Sequence, residues 1–262
     1  MSLSVLTAID ARGIATVTLN RPEKHNAFDA EMIGALTETL KTLDRDRAAR
    51  IVVITGAGTI FCAGADISSM RAVARASERD NVQDAMRLGE MLATLNTLSK
   101  PTIARVNGNA FGGAVGLMSC CDIVIAIREA RLALTEVRFG IVPSMISPYV
   151  VAAIGARQAR RYMLSGESVS AETAQRFGLV HEATAPEKLD AVVNAVIESL
   201  LKGGPEALRE AKELIREVRN THAPDETARH ATAQRLARLR ASDEGQEGLS
   251  AFLEKRPARW IR

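Results

Sequence analysis

The chain has 262 residues, 47% hydrophobic and 25% charged, enough to bury a substantial core in one domain or in a domain with an appendage. A formal charge of +3 and an aromatic content of 3% give neither the basic surface nor the stacking platforms that nucleic acid needs, while anionic ligands stay compatible. No run of about 18 uncharged apolar residues occurs and the first residues lack a basic region followed by a long apolar one, so no membrane span is expected and the expected address is the cytosol.

In chain order, residues 5–9 and 14–19 alternate around Asp10-Ala-Arg-Gly13, which predicts an antiparallel hairpin. A polar loop, Asn20-Arg-Pro-Glu-Lys-His-Asn26, leads to Asp29 as the N-cap of a helix reaching about residue 44, with Met32, Ile33, Leu36, Leu40 and Leu43 on its apolar face. Residues 51–55 form a β-branched strand that ends at Gly56-Ala-Gly58. Phe61-Cys-Ala-Gly-Ala-Asp66 follows, with Asp66 placed to cap another helix. Residues 70–84 carry Arg71, Arg75 and Arg79 every four residues and read as a solvated helical segment, followed by a helix over 84–98.

The stretch over residues 100–122, KPTIARVNGNAFGGAVGLMSCCD, organises the rest. A short strand over 102–106 turns at Asn107-Gly108, and Phe111-Gly112-Gly113 opens a run over 114–121 too apolar all round for a surface helix. Two glycines before a buried helix leave N–H groups free to face an oxyanion. They equally serve close packing of strand and helix, and the residues alone leave both readings open. Beyond it lie a strand over 123–127, a short extended piece over 132–134, Glu136, a break at Gly140-Ile-Val-Pro143, and an apolar helix over 147–154 capped by Gly155. Helical patterns over 171–179, 186–201, 206–219 and 227–239 complete an α/β chain, with Gly203-Gly-Pro205 as a boundary between 1–202 and a helical appendage, 203–262. Cys62, Cys120 and Cys121 read as reduced core residues, and the four histidines, His25, His181, His222 and His230, have no paired spacing.

These motifs, with the terminal Glu247-Gly-Leu-Ser-Ala-Phe-Leu-Glu-Lys255, resemble the enoyl-CoA hydratase/isomerase (crotonase) superfamily across essentially the whole chain. The resemblance implies a spiral of ββα turns with a C-terminal helical trimerisation region, a homotrimer or a hexamer of two trimers, and an acyl-CoA substrate with no separate cofactor and no metal. It places the thioester oxygen between the N–H groups of Ala65 and Gly113. The CoA is expected against Lys24, Ala27, Ala63, Gly64, Asp66, Ile67, Gly112 and Pro143, with Lys255 reaching the CoA of a neighbouring subunit. Each lysine by itself reads as solvated surface.

Hydratases of the family use two glutamates. One falls here on Glu136, the other on Gly116, which is expected to leave space where the missing carboxylate would stand. A carboxyl that moves protons to and from carbon needs an apolar wall and a raised pKa, and Glu136, between Leu134 and Val137, suits that. Thr135-Glu-Val-Arg-Phe-Gly-Ile-Val-Pro143, Ile146-Ser-Pro-Tyr-Val150 and Arg160-Arg-Tyr162 are similar to the branch with methylglutaconyl-CoA and carboxygeranoyl-CoA hydratases, which implies a branched or carboxylated 2-enoyl-CoA. Two alternatives stay open: a Δ3,Δ2-enoyl-CoA isomerase working with one glutamate, and a CoA- or RNA-binding relative without catalysis.

Overall fold

The alternation near the start becomes an antiparallel pair, β1 (Val5–Ile9) and β2 (Ile14–Leu19), with Val5 opposite Leu19 and Ile9 opposite Ala15. Asp10 closes the turn by accepting from Arg12 N and Ile14 N, both at 2.9 Å. The computed structural model that shows this describes residues 3–219 and 225–261. α1 (Ala30–Arg45) starts at Asp29, whose carboxylate accepts from Met32 N at 2.8 Å, and it buries all five residues of the expected face. β3 (Ile51–Gly56) is buried along its length.

α2 (Ile67–Val73) and α3 (Glu78–Asn96) follow. α3 starts at Glu78 rather than at residue 84, because the hydroxyl of Ser77, its N-cap, accepts from Asp80 N. β4 (Thr102–Val106), β5 (Ala110–Phe111), α4 (Gly113–Cys120), β6 (Ile123–Ile127) and β7 (Arg131–Ala133) lead to a 3-10 turn, Glu136–Phe139. α5 (Ser147–Ser165) is interrupted at Gly155, whose φ 71 and ψ 157 are not helical, so the helix expected over 147–154 does end there, and a second helical stretch continues to Gly166, at φ 60. β8 (Val169–Ser170), α6 (Ala171–Arg176), β9 (Glu182–Thr184) and α7 (Leu189–Leu201) complete this part.

The strands make two sheets. The larger runs β1-β2-β3-β4-β6-β9, parallel from β2 onward, and the smaller runs β5-β7-β8. The turns β4-β5-α4 and β6-β7-α5 each add one strand to each sheet before a helix returns, the ββα repetition that the sequence motifs imply, while the last turn places α6 between β8 and β9. The Cys121-Asp122 motif ties the turn together, since the Asp122 carboxylate accepts from Thr102 N at 2.7 Å and from its hydroxyl at 2.8 Å. α4 is buried on nearly every side, as its composition requires.

The chain divides into two compact units. One holds the residues up to 98 with Thr102–Asn194, and the other Ser99–Pro101 with the described residues from 195 onward. That division falls inside α7, upstream of the expected 202/203 boundary. The second unit contains α8 (Pro205–Val218), α9 (Glu226–Ala241) and α10 (Asp243–Leu253). Glu244 caps α8 by accepting from Glu206 N and Ala207 N, and Gly204 lacks the side chain that would collide with it. Glu210, buried on α8, takes Arg209, Arg235 and Arg238; Glu247, buried on α10, takes Arg256 and Arg259, and the Arg256 bond brings its carboxyl down to about 2. α9 buries none of its residues within the chain, and Leu249, Phe252 and Leu253 leave an exposed apolar strip at the end of α10. Among the described residues no helix is long and apolar enough to cross a membrane.

Candidate active site

The small sheet extends beyond its named strands, and its extra rungs build the site. Phe28 bridges Ala65 in parallel, through Phe28 N to Gly64 O at 2.7 Å and Asp66 N to Phe28 O at 2.8 Å. Cys62 bridges Ala110 the same way, through Cys62 N to Asn109 O and Phe111 N to Cys62 O. The segments 62–66 and 110–113 are thereby laid side by side. A Cβ at Gly64 would fall 2.5 Å from Phe111 O and 3.4 Å from Gly113 N, so only glycine, here at φ +85, permits the approach.

Backbone direction alternates along an extended segment, so when the flanking groups of Gly64 and Asp66 face Phe28, the N–H of Ala65 faces the other way. Gly112 N donates to Ala133 O at 2.9 Å, and Gly113 is the first residue of α4, where an N–H has no partner inside the helix. Among the described residues neither Ala65 N nor Gly113 N donates a hydrogen bond. Ala65 is exposed and Gly113 half-buried.

Glu136 opens the 3-10 turn after β7, and its carboxyl reaches back to the mouth of α4. A Cβ at Gly112 would lie 3.0 Å from Glu136 Oε1, and φ +52 at Gly112 disfavours any side chain besides. Oε2 of Glu136 is buried and has no hydrogen-bond partner. Burial raises its pKa above 4.5, opposed only by its own backbone N–H. A carboxyl whose pKa is raised by burial, beside two open N–H donors, can take a proton from one atom and give it to another while those donors steady developing negative charge.

The expectation about Gly116 is corrected. There is no space at that position, because a Cβ there would sit 2.6 Å from Cβ of Ile146 and closer still to its Cγ2. The neighbouring Met145 enters a similar socket on α3, its Cε 2.5 Å from where a Cβ of Gly89 would be. Two successive side chains thus lock the loop between the Glu136 turn and α5 into two helices. Gly89 carried no signal in sequence, since its use depends on a partner 56 positions along the chain.

The corner beneath the donors was also missed. Asn26, fully buried at φ 57, donates from Nδ2 to Ala57 O and Ile60 O at 2.9 and 2.8 Å and accepts from Arg21 N at 3.0 Å. Arg21 donates to Ala27 O at 2.7 Å and pairs with Asp29 at 2.9 Å and Asp66 at 3.2 Å. Asp66, 7% exposed, caps α2 through Ser68 N and Ser69 N, and chiefly the Ser68 hydroxyl lowers its carboxyl to about 2. The signal available was the polar loop of residues 20–26, whose density of turn formers marked a corner without naming its partners.

Of the other expected residues, Lys24 is exposed on a 3-10 turn (Pro22–Lys24), Ala27 is buried, Ala63 N donates to His25 O, Ile67 is exposed at the start of α2 and Pro143 is buried. Lys255 is exposed after α10 in the second unit, at φ 55. His181 Nδ1 accepts from Val124 N, His230 is exposed on α9, and His222 lies outside the described residues. The three cysteines are buried thiols outside any disulfide, and burial pushes the Cys62 thiol up to about 12 and raises that of Cys120 as well, which leaves these two unreactive. Among the described residues no group of three or more His, Cys, Asp or Glu is placed to hold a metal ion. A separate cleft lined by Ala156, Arg157, Gln158, Arg160 and Arg161 contains none of the site residues.

The chain is similar to known proteins along nearly its whole length. A family model described as enoyl-CoA hydratase/isomerase matches residues 10–262. The crystal structure of an enoyl-CoA hydratase from Shewanella pealeana superposes with a TM-score of 0.94 at 38% identity, covering 98% of this chain and 96% of that one. A 2,3-dehydroadipyl-CoA hydratase of Escherichia coli is 30% identical over 97% of both chains. A mevalonyl-coenzyme A hydratase of Aspergillus fumigatus is 32% identical over 94% of this chain and 91% of its own.

Proposed function

The chain belongs to the enoyl-CoA hydratase/isomerase family, and from that premise we propose that it adds water across the Cα=Cβ bond of a 2-enoyl-CoA thioester with Glu136 as its acid/base. The observation that carries the reading is the Glu136 carboxyl, buried, unpartnered at Oε2 and seated at Gly112 beside the free N–H of Gly113. Water oxygen bonds to Cβ while its proton passes to the carboxylate. The electron pair of the double bond moves toward the thioester oxygen as an enolate, which the N–H groups of Ala65 and Gly113 hold. The enolate then takes the proton from Glu136 at Cα, and the carboxylate is restored. Each such donor is worth about 3 kcal/mol of barrier.

CoA enters as part of the substrate, with Lys24, Ala27, Ala63, Gly64, Ile67, Gly112 and Pro143 as its proposed contacts. Because the carboxylate of Asp66 is engaged by Ser68, Ser69 and Arg21, its part is to shape that loop. We take the acyl group to be branched or carboxylated. The motifs around residues 135–162 support this, as do the acyl groups in the names of the dehydroadipyl-CoA and mevalonyl-CoA relatives. The exposed Arg71 and Arg75 are the cations offered to an acyl carboxylate. The assembly proposed is a trimer or hexamer in the cytosol, in which Lys255 serves a neighbouring subunit's CoA. The apolar strip of Leu249, Phe252 and Leu253, with Phe252 82% exposed, favours a partner copy.

A single carboxyl beside the apolar Ile146 also fits a Δ3,Δ2-isomerase, in which Glu136 moves one proton between two carbons. A spectrophotometric panel of crotonyl-CoA, 3-methylglutaconyl-CoA and a 3-enoyl-CoA separates the readings. Hydration of a 2-enoyl substrate that Glu136→Gln abolishes is the expected result. Turnover of the 3-enoyl substrate alone would replace hydratase by isomerase.

A further inference from the structure

Gly112 is the N-cap of α4, at φ 52 and ψ −118, and Gly116 lies one turn further on, its N–H donating to Gly112 O at 3.4 Å; a side chain from outside the helix rests against each of these glycines. The Glu136 carboxyl sits on Gly112, and Ile146 sits on Gly116. The Glu136 carboxyl and the Ile146 side chain therefore rest at the two ends of one hydrogen-bonded turn of backbone, the first turn of α4. Ile146 is 2% exposed and tied at its own backbone, its carbonyl accepting from Tyr149 N at 3.1 Å and Val150 N at 3.0 Å. Met145 anchors the same loop at Gly89.

We propose that Ile146 is a positioning and specificity-determining residue: as a plug in the Gly116 socket it shuts water and acyl substituents out of the space beside Glu136. This rests on the reading of Glu136 as the acid/base. The plug acts in two ways. It keeps the carboxyl in a dry wall, and it bounds the volume open to the acyl group next to the reacting carbons. No cation or second acid from α4, α5 or the Glu136–Phe139 turn bears on the carboxyl, and Arg138 of that turn packs instead at Gly166. Hydration of the socket is therefore what sets how readily Glu136 ionises.

The test uses full-length Ile146→Ala, Ile146→Val and Gly116→Ala, and the double variant Gly116→Ala with Ile146→Ala. Each is assayed for kcat/KM against pH and for the ratio of a 3-methyl-branched to a straight-chain 2-enoyl-CoA. Opening the socket in Ile146→Ala is expected to move the acidic limb of kcat/KM to lower pH and to raise the branched-to-straight ratio roughly tenfold, the scale of one or two methyl groups in an apolar pocket. Ile146→Val shifts both in the same direction by less, and decides the matter if the alanine variant does not fold. Gly116→Ala alone is expected to lower activity because the new methyl collides with Ile146, and adding Ile146→Ala is expected to restore it. An unmoved limb and an unchanged ratio in folded Ile146 variants would overturn the proposal and reduce Ile146 to packing. Full hydration by Glu136→Gln would instead overturn the assignment of Glu136, so the two failures are distinct.

Discussion

Two carboxylates in the first unit have opposite fates. Asp66 is sunk in a corner where each neighbour answers it: Ser68 and Ser69 donate, Arg21 pairs with it, and its carboxyl falls to about 2. Glu136 lies against the next rung of the same small sheet, where Oε2 has no donor and burial raises its pKa. The difference shows how the fold separates holding from reacting. A corner with all its hydrogen bonds made fixes the backbone of 62–66, so that the neighbouring wall can keep two N–H groups and one carboxyl unspent until substrate arrives.

The sharpest way to break this contrast is to disarm the reacting side. Glu136→Gln keeps the shape and removes the proton carrier, and a loss of about 10²–10⁴-fold in kcat is expected in a steady-state hydration assay. Its stability should not fall. A carboxyl whose pKa is raised in the folded state adds stability that is complete below its unfolded value and is lost as pH rises through the folded one. Glu136→Gln should therefore unfold at higher temperature than the parent at neutral pH, with the gap closing on acidification, as calorimetry at several pH values can show.

Removing a donor should come next in size. Gly113→Pro takes the N–H from the first residue of α4, a helix position where proline is tolerated, and is expected to lower kcat by about 10²–10³-fold with the helix retained by circular dichroism. A variant with unchanged kcat would show that this N–H faces no developing charge.

The holding side should respond in stability first. Asp66→Ala removes the cap of α2 and the partner of Arg21, which should cost roughly 1–2 kcal/mol in urea unfolding, while Asp66→Asn, still able to cap, should cost less. The pH dependence has the opposite sign to that of Glu136. The Asp66 carboxyl is lowered on folding, so its contribution is present above its unfolded value near 3.9 and is lost as pH falls toward about 2. Acid unfolding of the parent should begin in that window, and Asp66→Ala should lose less stability across it.

The holding side was partly legible in the sequence, the reacting side less so. Asp29 and Asp66 announced themselves as caps because capping is a matter of the next three residues, and the hairpin of Val5–Ile9 and Ile14–Leu19 was readable from alternation alone. The strands Ala110–Phe111, Val169–Ser170 and Glu182–Thr184 are too short to show a period. Glu136 was found through motif resemblance, since a lone glutamate carries no local sign of burial. The Ile146 plug at Gly116 is invisible in the sequence, because a glycine tells what is missing from its own position and not what a residue 30 places on puts there.

The most direct test of the account is whether the titration of Glu136 and the pH dependence of turnover are the same event. In protein carrying 13C at glutamate carboxyls, the Glu136 signal is assigned by its absence in Glu136→Gln and followed against pH, and kcat/KM for the preferred 2-enoyl-CoA is measured over the same range. The account predicts a midpoint above 4.5 that coincides with the acidic limb of kcat/KM, with that limb gone from whatever activity the glutamine variant retains. A Glu136 signal that titrates with the ordinary surface glutamates, or a limb that persists unchanged in Glu136→Gln, would contradict it.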